Sequence, residues 1–219
     1  MKGLSHLLWI PAGALTGFLL SLIFGDLLPL PVDLYYLIYF GILTILFALY
    51  IKKPPLNLRE FFLRRIGLGI LLGVVLAFLV VKTVLSRPET DKFSGFHLVW
   101  LIFWRGLIYG TMDGLFLSVF PWAVVWQTFE VAKKPLGKKI AFGFLSWVFI
   151  MVMTTAYHLG YSDFRSKKLT AALIGNTLIS IPTLLSASPA GSPIAHAAMH
   201  TAAVIHSPKT DVFLPPHRE

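Results

Sequence analysis

The chain has 219 residues, of which 56% are apolar and only 13% are charged. Soluble domains carry roughly 25% charged residues, so this composition excludes an ordinary soluble domain, a disordered chain and a collagen-like repeat. The formal net charge is +9. Because the positive residues sit in short loops between apolar runs, no basic face is left for a nucleic acid. The sequence therefore predicts an integral membrane protein without a nucleic-acid partner.

The sequence contains no cysteine. This excludes disulfides, thiolate zinc sites, iron–sulfur clusters and thiol nucleophiles. Any bound metal must therefore be held by histidine, carboxylate or carbonyl ligands.

Seven apolar segments follow one another along the chain, and a helix needs about 20 residues to cross a bilayer. They predict an all-α fold, a polytopic transmembrane helix bundle of seven to eight helical segments that forms a single domain over residues 1–219. Residues 4–85 form its N-terminal three-helix part, and residues 96–207 form a C-terminal bundle. The segments are Leu4–Phe24, Leu34–Ile51, Ile66–Leu85, Phe96–Val131, Ile140–Gly160, Leu169–Ala187 and Ile194–Ser207.

Lysine and arginine residues predict the orientation of the bundle. Five positive charges lie in Lys52–Arg65 and four in Ala132–Lys139, whereas the first loop carries Asp26 and Asp33 and no positive charge. Short basic loops remain on the cytoplasmic side. We therefore expect a bacterial-type plasma-membrane protein whose N-terminus and both basic loops are cytoplasmic.

This orientation constrains the segment Phe96–Val131, which must start outside and end inside. Its 36 residues would form a helix of about 54 Å, nearly twice the hydrocarbon thickness. Gly110–Gly114 and Pro121 are candidate breaks. We expect a broken helix that crosses once. Two crossings would also accommodate the length, but would move the four lysines of the following loop to the other side.

Small residues predict close helix packing in the same segment. Gly106, Gly110 and Gly114 recur every fourth residue, which lets a second helix approach closely. Gly13 with Gly17 repeats the spacing in the first segment, and Gly69 with Gly73 repeats it in the third.

Ionisable side chains in the apolar segments are concentrated in the C-terminal bundle. Each costs about 2.5–3.5 kcal/mol at the bilayer centre, so each needs a partner or a function. His196 and His200 lie one helical turn apart, a spacing at which two histidines can grip one metal ion. We predict one shared interior site: Asp113 and Arg105 as catalytic residues, His158, His196 and His200 as ligands of a divalent metal such as zinc, and Tyr109, Asn176, Ser180 and Thr183 as polar support.

Structural roles are the alternative for each of these residues. Arg105 and Asp113 could form an ion pair, and His158 could simply face the interface at the end of its helix. The stripe Asn176, Ser180 and Thr183 could hydrogen-bond one helix to another.

Three short motifs in residues 96–207 resemble those of the CPBP family of intramembrane proteases (CAAX prenyl-protease and bacteriocin-processing, also called Abi). Pro193–His200 is similar to the final His-x-x-x-Asn/Asp motif, with His200 in the Asn/Asp position. Thr154–His158 is similar to the Phe-x-x-x-His motif, with Thr154 in place of Phe. Trp104-Arg105-Gly106 resembles the surroundings of the arginine in the Glu-Glu-x-x-x-Arg motif, without the Glu-Glu pair. The resemblance implies a helical bundle that hydrolyses a membrane-protein or peptide substrate.

The leading functional prediction is a metal-dependent, CPBP-like intramembrane hydrolase. Asp113 would then accept a proton from water, while Arg105 stabilises developing negative charge. Two alternatives stay open: an electron-transfer protein with histidines as axial haem ligands, and a non-enzymatic scaffold or small-solute carrier. The expected partners are the lipid bilayer and packing helices.

Overall fold

The computed structural model describes residues 3–52, 57–210 and 213–216. Within these ranges the chain forms eight helices, of which all but α3 and α8 are long and apolar enough to cross a membrane. The predicted all-α helical bundle is confirmed, and by length and composition the chain is an integral membrane protein. The helices are α1 (Leu4–Leu27), α2 (Val32–Lys52), α3 (Leu58–Leu63), α4 (Ile66–Leu85), α5 (Gly95–Thr128), α6 (Leu136–Leu159), α7 (Lys167–Ser186) and α8 (Gly191–His206).

The central helix α5 is continuous, so the break predicted at Gly110–Gly114 is wrong. Its 34 residues extend for about 51 Å. Wider π-helical turns cover Ile102–Tyr109 and Leu115–Val119, and these flank the five α-helical residues Gly110–Gly114. A π turn, in which hydrogen bonds join residues five apart, widens the helix without ending it. Asp113 therefore lies in a short, regular stretch between two widened ones.

The glycines of α5 bring it against α8, as the spacing predicts. A Cβ atom on Gly110 would lie 2.8 Å from the Cα atom of Ala197, and one on Gly114 would lie 2.7 Å from the Cα atom of Pro193. Contacts between backbones at this distance leave no room for a side chain. The two helices therefore pack with a fixed register, which aligns Asp113 with the first turns of α8.

Helix α8 is shorter than a membrane span but runs beside α4 for most of its length. Near its start, Gly191 packs against Gly73. At its end, the ring Nε2 of His206 lies 2.8 Å from the carbonyl oxygen of Arg87, just after α4. A helix of 16 residues thus fills the interior, enclosed by α4, α5 and α7.

The two basic loops lie at the same end of the bundle. The Phe61 ring contacts the Trp122 ring at 5.8 Å, and the Arg64 guanidinium lies 5.0 Å from the Trp126 ring, near the end of α5. At the opposite end, the Ser162 amide donates a 2.7 Å hydrogen bond to Asp26. Helix α5 therefore traverses the bundle once. Which end faces the cytoplasm stays a prediction.

A buried carboxylate–histidine site and its cavity

Asp113 on α5 meets two histidines of α8 in the interior. The Asp113 Oδ2 atom lies 3.4 Å from His196 Nδ1 and 3.5 Å from His200 Nε2. All three side chains are at least nine-tenths buried. The nitrogen and oxygen atoms that could bind a metal lie within 4.8 Å of one another, which makes the group a candidate metal site. Two of the predicted ligands therefore come together with the predicted catalytic aspartate.

These separations are too long for the hydrogen bonds that the groups would otherwise form. A charge-assisted N–H···O bond measures about 2.7–2.9 Å. Within the described residues, His196 Nδ1 and His200 Nε2 are buried and have no hydrogen-bond partner. Around a tetrahedral ion with bonds of about 2.1 Å, neighbouring ligand atoms lie roughly 3.4 Å apart. The two distances to Asp113 Oδ2 match ligands arranged around one ion, and the two histidine nitrogens lie within 4.8 Å of each other.

The hydrogen bonds of Asn176 fix which ring nitrogen of His196 faces Asp113. The Thr154 hydroxyl donates to the Ile150 carbonyl at 2.8 Å, so it must accept from the Asn176 amide nitrogen at 2.5 Å. The Asn176 Oδ1 atom then accepts from His196 Nε2–H at 2.9 Å. A neutral His196 consequently directs its Nδ1 lone pair at a carboxylate oxygen. This arrangement is repulsive unless a proton or a metal ion lies between the two atoms.

Tyr39 of α2 orients the other side of the carboxylate. Its hydroxyl donates a 2.9 Å hydrogen bond to Asp113 Oδ1. That bond leaves Oδ2 as the oxygen directed at both histidines, which suits a ligand that binds through one oxygen. The N-terminal three-helix part thus contributes to a site that the sequence predicts from the C-terminal bundle alone.

A cluster of tyrosines surrounds this carboxylate. The Tyr157 hydroxyl lies 2.9 Å from the Tyr109 hydroxyl and 3.1 Å from the Tyr35 hydroxyl, and Tyr161 donates to Tyr35 at 2.8 Å. The Tyr109 ring stands edge-on to His200, with centroids 5.1 Å apart, and stacks on Tyr36. Buried hydroxyls in lipid need such partners, so the cluster fixes α2, α5 and α6 around the site.

A cavity of about 420 Å³ adjoins the Asp113, His196 and His200 side chains. His158 of α6 lines the same cavity. Its Nδ1 atom lies 2.8 Å from the Thr154 carbonyl oxygen, and a carbonyl only accepts, so Nδ1 carries the proton. The Nε2 atom of a neutral His158 therefore carries a lone pair. His158 lies beside the three-residue group and is not one of its members.

The remaining predicted site residues lie further out. Arg105 forms a two-pronged ion pair with Asp33 of α2, at 2.9 and 3.2 Å, instead of pairing with Asp113. The Ser180 hydroxyl donates to the Thr177 carbonyl of its own helix. The Thr183 hydroxyl accepts from the Ser192 amide at 3.1 Å and so holds the start of α8.

Sequence reasoning missed the tyrosines of α2. Tyr35 and Tyr39 are one turn apart in an apolar helix, and Tyr157 in the last turn of α6 is followed at the same spacing by Tyr161, just after the helix. Because a hydroxyl in lipid requires a hydrogen-bond partner, this repeated spacing is a signal that could have pointed to a shared polar centre.

Comparison of the chain with protein-family models, curated proteins and solved structures finds no match.

Proposed function

We propose that this protein is an integral membrane metalloprotein in which Asp113, His196 and His200 hold one divalent cation of the zinc type, and that the site hydrolyses a carbonyl substrate. One observation carries the proposal. Two buried imidazole nitrogens without hydrogen-bond partners in the described chain flank a single carboxylate oxygen, at 3.4 and 3.5 Å. A protein interior tolerates such unpaired groups when a ligand satisfies them.

A set of three protein ligands is typical of a catalytic metal site and not of a structural one. Catalytic zinc has three protein ligands and one open position, whereas structural zinc is closed by four protein ligands. When bound, the cation would lower the pKa of a water molecule and polarise a carbonyl group. The cavity beside the three ligands supplies space for both the water and the substrate.

In this proposal His158 accepts the proton of the attacking water through its Nε2 lone pair. Asp113 is a ligand and not the base, because its two oxygens are committed to Tyr39 and to the histidines. Arg105 keeps α2 against α5 through Asp33. The motif resemblance to the CPBP family supports hydrolysis as the reaction class. Iron(II) is a second candidate metal, since two histidines and one carboxylate also form its common site in enzymes.

Metal analysis of the purified protein tests the proposal. Protein freed of any affinity tag should contain close to one equivalent of zinc or iron, and the metal found decides between the two ions. Asp113→Ala, His196→Ala and His200→Ala should each lose most of it, because the ligands share the binding energy. His158→Ala should keep the metal and lose hydrolysis.

His97→Ala is the matched control, since this exposed histidine lies at the start of α5, away from the site. A parent protein with under about a tenth of an equivalent of metal would overturn the proposal. If His158→Ala lost the metal, His158 would be a metal ligand, as the sequence predicts.

A further inference from the structure

The cavity that ends at the metal-binding group is apolar for most of its wall. Its sides are formed by α4 and α7, through Leu76, Leu79 and Val80 on one helix and Ala171, Ile174 and Leu178 on the other. Its inner wall is polar, where Asp113, His196 and His200 lie, and Thr83 and Arg87 add polar groups at the end of α4. A cavity of this kind binds a ligand with a long apolar part and one polar group.

The side walls of the cavity reach the surface that faces lipid. Leu79 is 54% exposed and Ile174 is 58% exposed, although both line the cavity. Both helices are long and apolar enough to span a membrane. Residues of α4 and α7 that line the cavity are thus also exposed on the surface that would face hydrocarbon, which offers a ligand a route to the site from within the bilayer.

The volume of the cavity suits a single hydrocarbon chain better than a transmembrane helix. A water-sized group occupies about 30 Å³, so 420 Å³ holds on the order of a dozen such groups, the size of a fatty-acyl chain. A transmembrane helix is about 10–12 Å across with its side chains, so one 5.4 Å turn occupies roughly 500 Å³, more than the whole cavity. The space thus fits a hydrocarbon chain better than a peptide helix.

A polar cavity of about 780 Å³ adjoins the apolar one at the end of the bundle away from the basic loops. Tyr161, Leu214 and Pro215 line both cavities and separate them. Charged side chains line the polar cavity, among them Asp26, Arg105 and Lys209. An apolar and a charged compartment side by side are complementary to an amphiphile, whose chain and headgroup need different surroundings.

From these observations we infer that the ligand is a membrane lipid with a single acyl chain in the cavity between α4 and α7, its ester or amide group beside Asp113. The inference rests on the proposed hydrolysis for its chemistry. The water oxygen would join the acyl carbon, the carbon–oxygen or carbon–nitrogen bond would break, and the leaving group would take a proton. The products are a fatty acid and the alcohol or amine of the headgroup.

Photocrosslinking with a diazirine-bearing palmitate in lipid nanodiscs tests the inference on the full chain. The crosslinks should map to the cavity-facing residues of α4 and α7. Gly175 lines the cavity, and a Cβ atom added to it would have no other atom within 4 Å, so a larger side chain can be introduced at this position to occupy the cavity. Gly175→Trp should reduce crosslinking about tenfold, because the bulky ring blocks the chain.

Gly143→Trp is the matched control. Gly143 also has no atom within 4 Å of an added Cβ and does not line this cavity, so its variant should crosslink like the parent protein. Metal content is measured on the same samples. If Gly175→Trp keeps the metal content of the parent protein but crosslinks less, the inference is supported. If the parent protein crosslinks but contains no metal, only the proposed hydrolysis is overturned. Crosslinks on the outer lipid-facing surface that Gly175→Trp leaves unchanged would overturn the inference.

A substrate comparison separates a lipid from a peptide. The parent protein should release fatty acid from a palmitoyl ester faster than it cleaves a transmembrane peptide in the same nanodiscs. Gly175→Trp should abolish the first reaction and keep its metal. Cleavage of the peptide without any action on the ester would overturn the assignment of a lipid.

Discussion

Asn176 connects the packing of three helices to the chemistry of one imidazole. Asn176 lies on α7. Its amide nitrogen donates to the Thr154 hydroxyl on α6, and its amide oxygen accepts from His196 on α8, so it orients the His196 ring. A metal-binding histidine usually donates its second ring nitrogen to such an acceptor, which sets both tautomer and ring angle. The Nδ1 atom of His200 has no such acceptor within the described residues. His196 is therefore the better oriented of the two histidines.

Tyr39 provides a test of how strongly the surroundings of Asp113 control metal binding. Tyr39→Phe removes the 2.9 Å hydrogen bond to Asp113 Oδ1 and leaves a buried carboxylate oxygen unpaired. We expect metal affinity to fall roughly tenfold to a hundredfold, as for other residues that hold metal ligands. Competition with a chelator of known affinity measures the change.

Tyr50→Phe is the control for this variant. Tyr50 is also buried in α2, but its hydroxyl has no hydrogen-bond partner among the described residues. Its loss should leave the metal affinity unchanged. Equal affinities for the two variants would show that Tyr39 only packs against α5.

Protonation of the histidines should release the proposed metal. Imidazole binds a metal only in its neutral form, so protons and metal compete for the ring nitrogens. Bound metal should therefore decrease as the pH is lowered. Metal content after dialysis at a series of pH values measures this loss. A metal content that does not fall with pH would argue against histidine ligands.

The helices α5 and α8 depend on glycine for their contact. Gly110→Ala would place a methyl group 2.8 Å from the Ala197 Cα atom, so the helices must move apart. Overpacking of this kind costs about 1–3 kcal/mol, and we expect a lower melting temperature in detergent. A shift at this contact also moves Asp113 away from α8, so metal content should fall together with stability.

Gly41→Ala is the corresponding change on a free surface. Gly41 has no atom within 4 Å of an added Cβ, so alanine should be neutral or slightly stabilising through its higher helix propensity. If both alanine variants melted at the temperature of the parent protein, the α5–α8 contact would be looser than these distances indicate.

Local sequence patterns predicted the contacts that follow from regular helical spacing. The glycines of α5 are spaced four residues apart, as are His196 and His200. Residues at this spacing lie on one face of an α-helix. Arg105 and Asp113 also differ by a multiple of four, but they have different partners, Asp33 and the two histidines. The π-helical turn between them changes the angular spacing, and apolar periodicity does not reveal such a turn. Tyr39 and Asn176 join the site through long-range packing, which local periodicity does not encode.

The orientation of the whole bundle is testable because the chain has no cysteine of its own. Single cysteines at Arg59 and Lys138 report on the two basic loops, which share one end of the bundle, and a cysteine at Asp163 reports on the other end. A membrane-impermeant thiol reagent added to intact cells should label only the Asp163→Cys variant, since basic loops stay cytoplasmic.

Detergent-treated cells provide the control, because all three cysteines should then react. These positions are exposed, so labelling reports on sidedness and not on burial. Labelling of Lys138→Cys but not of Arg59→Cys in intact cells would contradict the single traverse of α5.

The widened turns of α5 make one part of the helix tolerant of a deletion and leave another part intolerant. A π turn takes up one residue more than the α-helical turn it replaces. Removing one residue between Ile102 and Tyr109 would therefore allow a regular helix there and keep the residues on either side in their present orientation. Removing Thr111 or Met112 from the regular stretch would instead rotate Asp113 by about 100° relative to Gly110. Over evolutionary time, α5 can therefore lose a residue from its widened turn, but its length between Gly110 and Asp113 must stay constant.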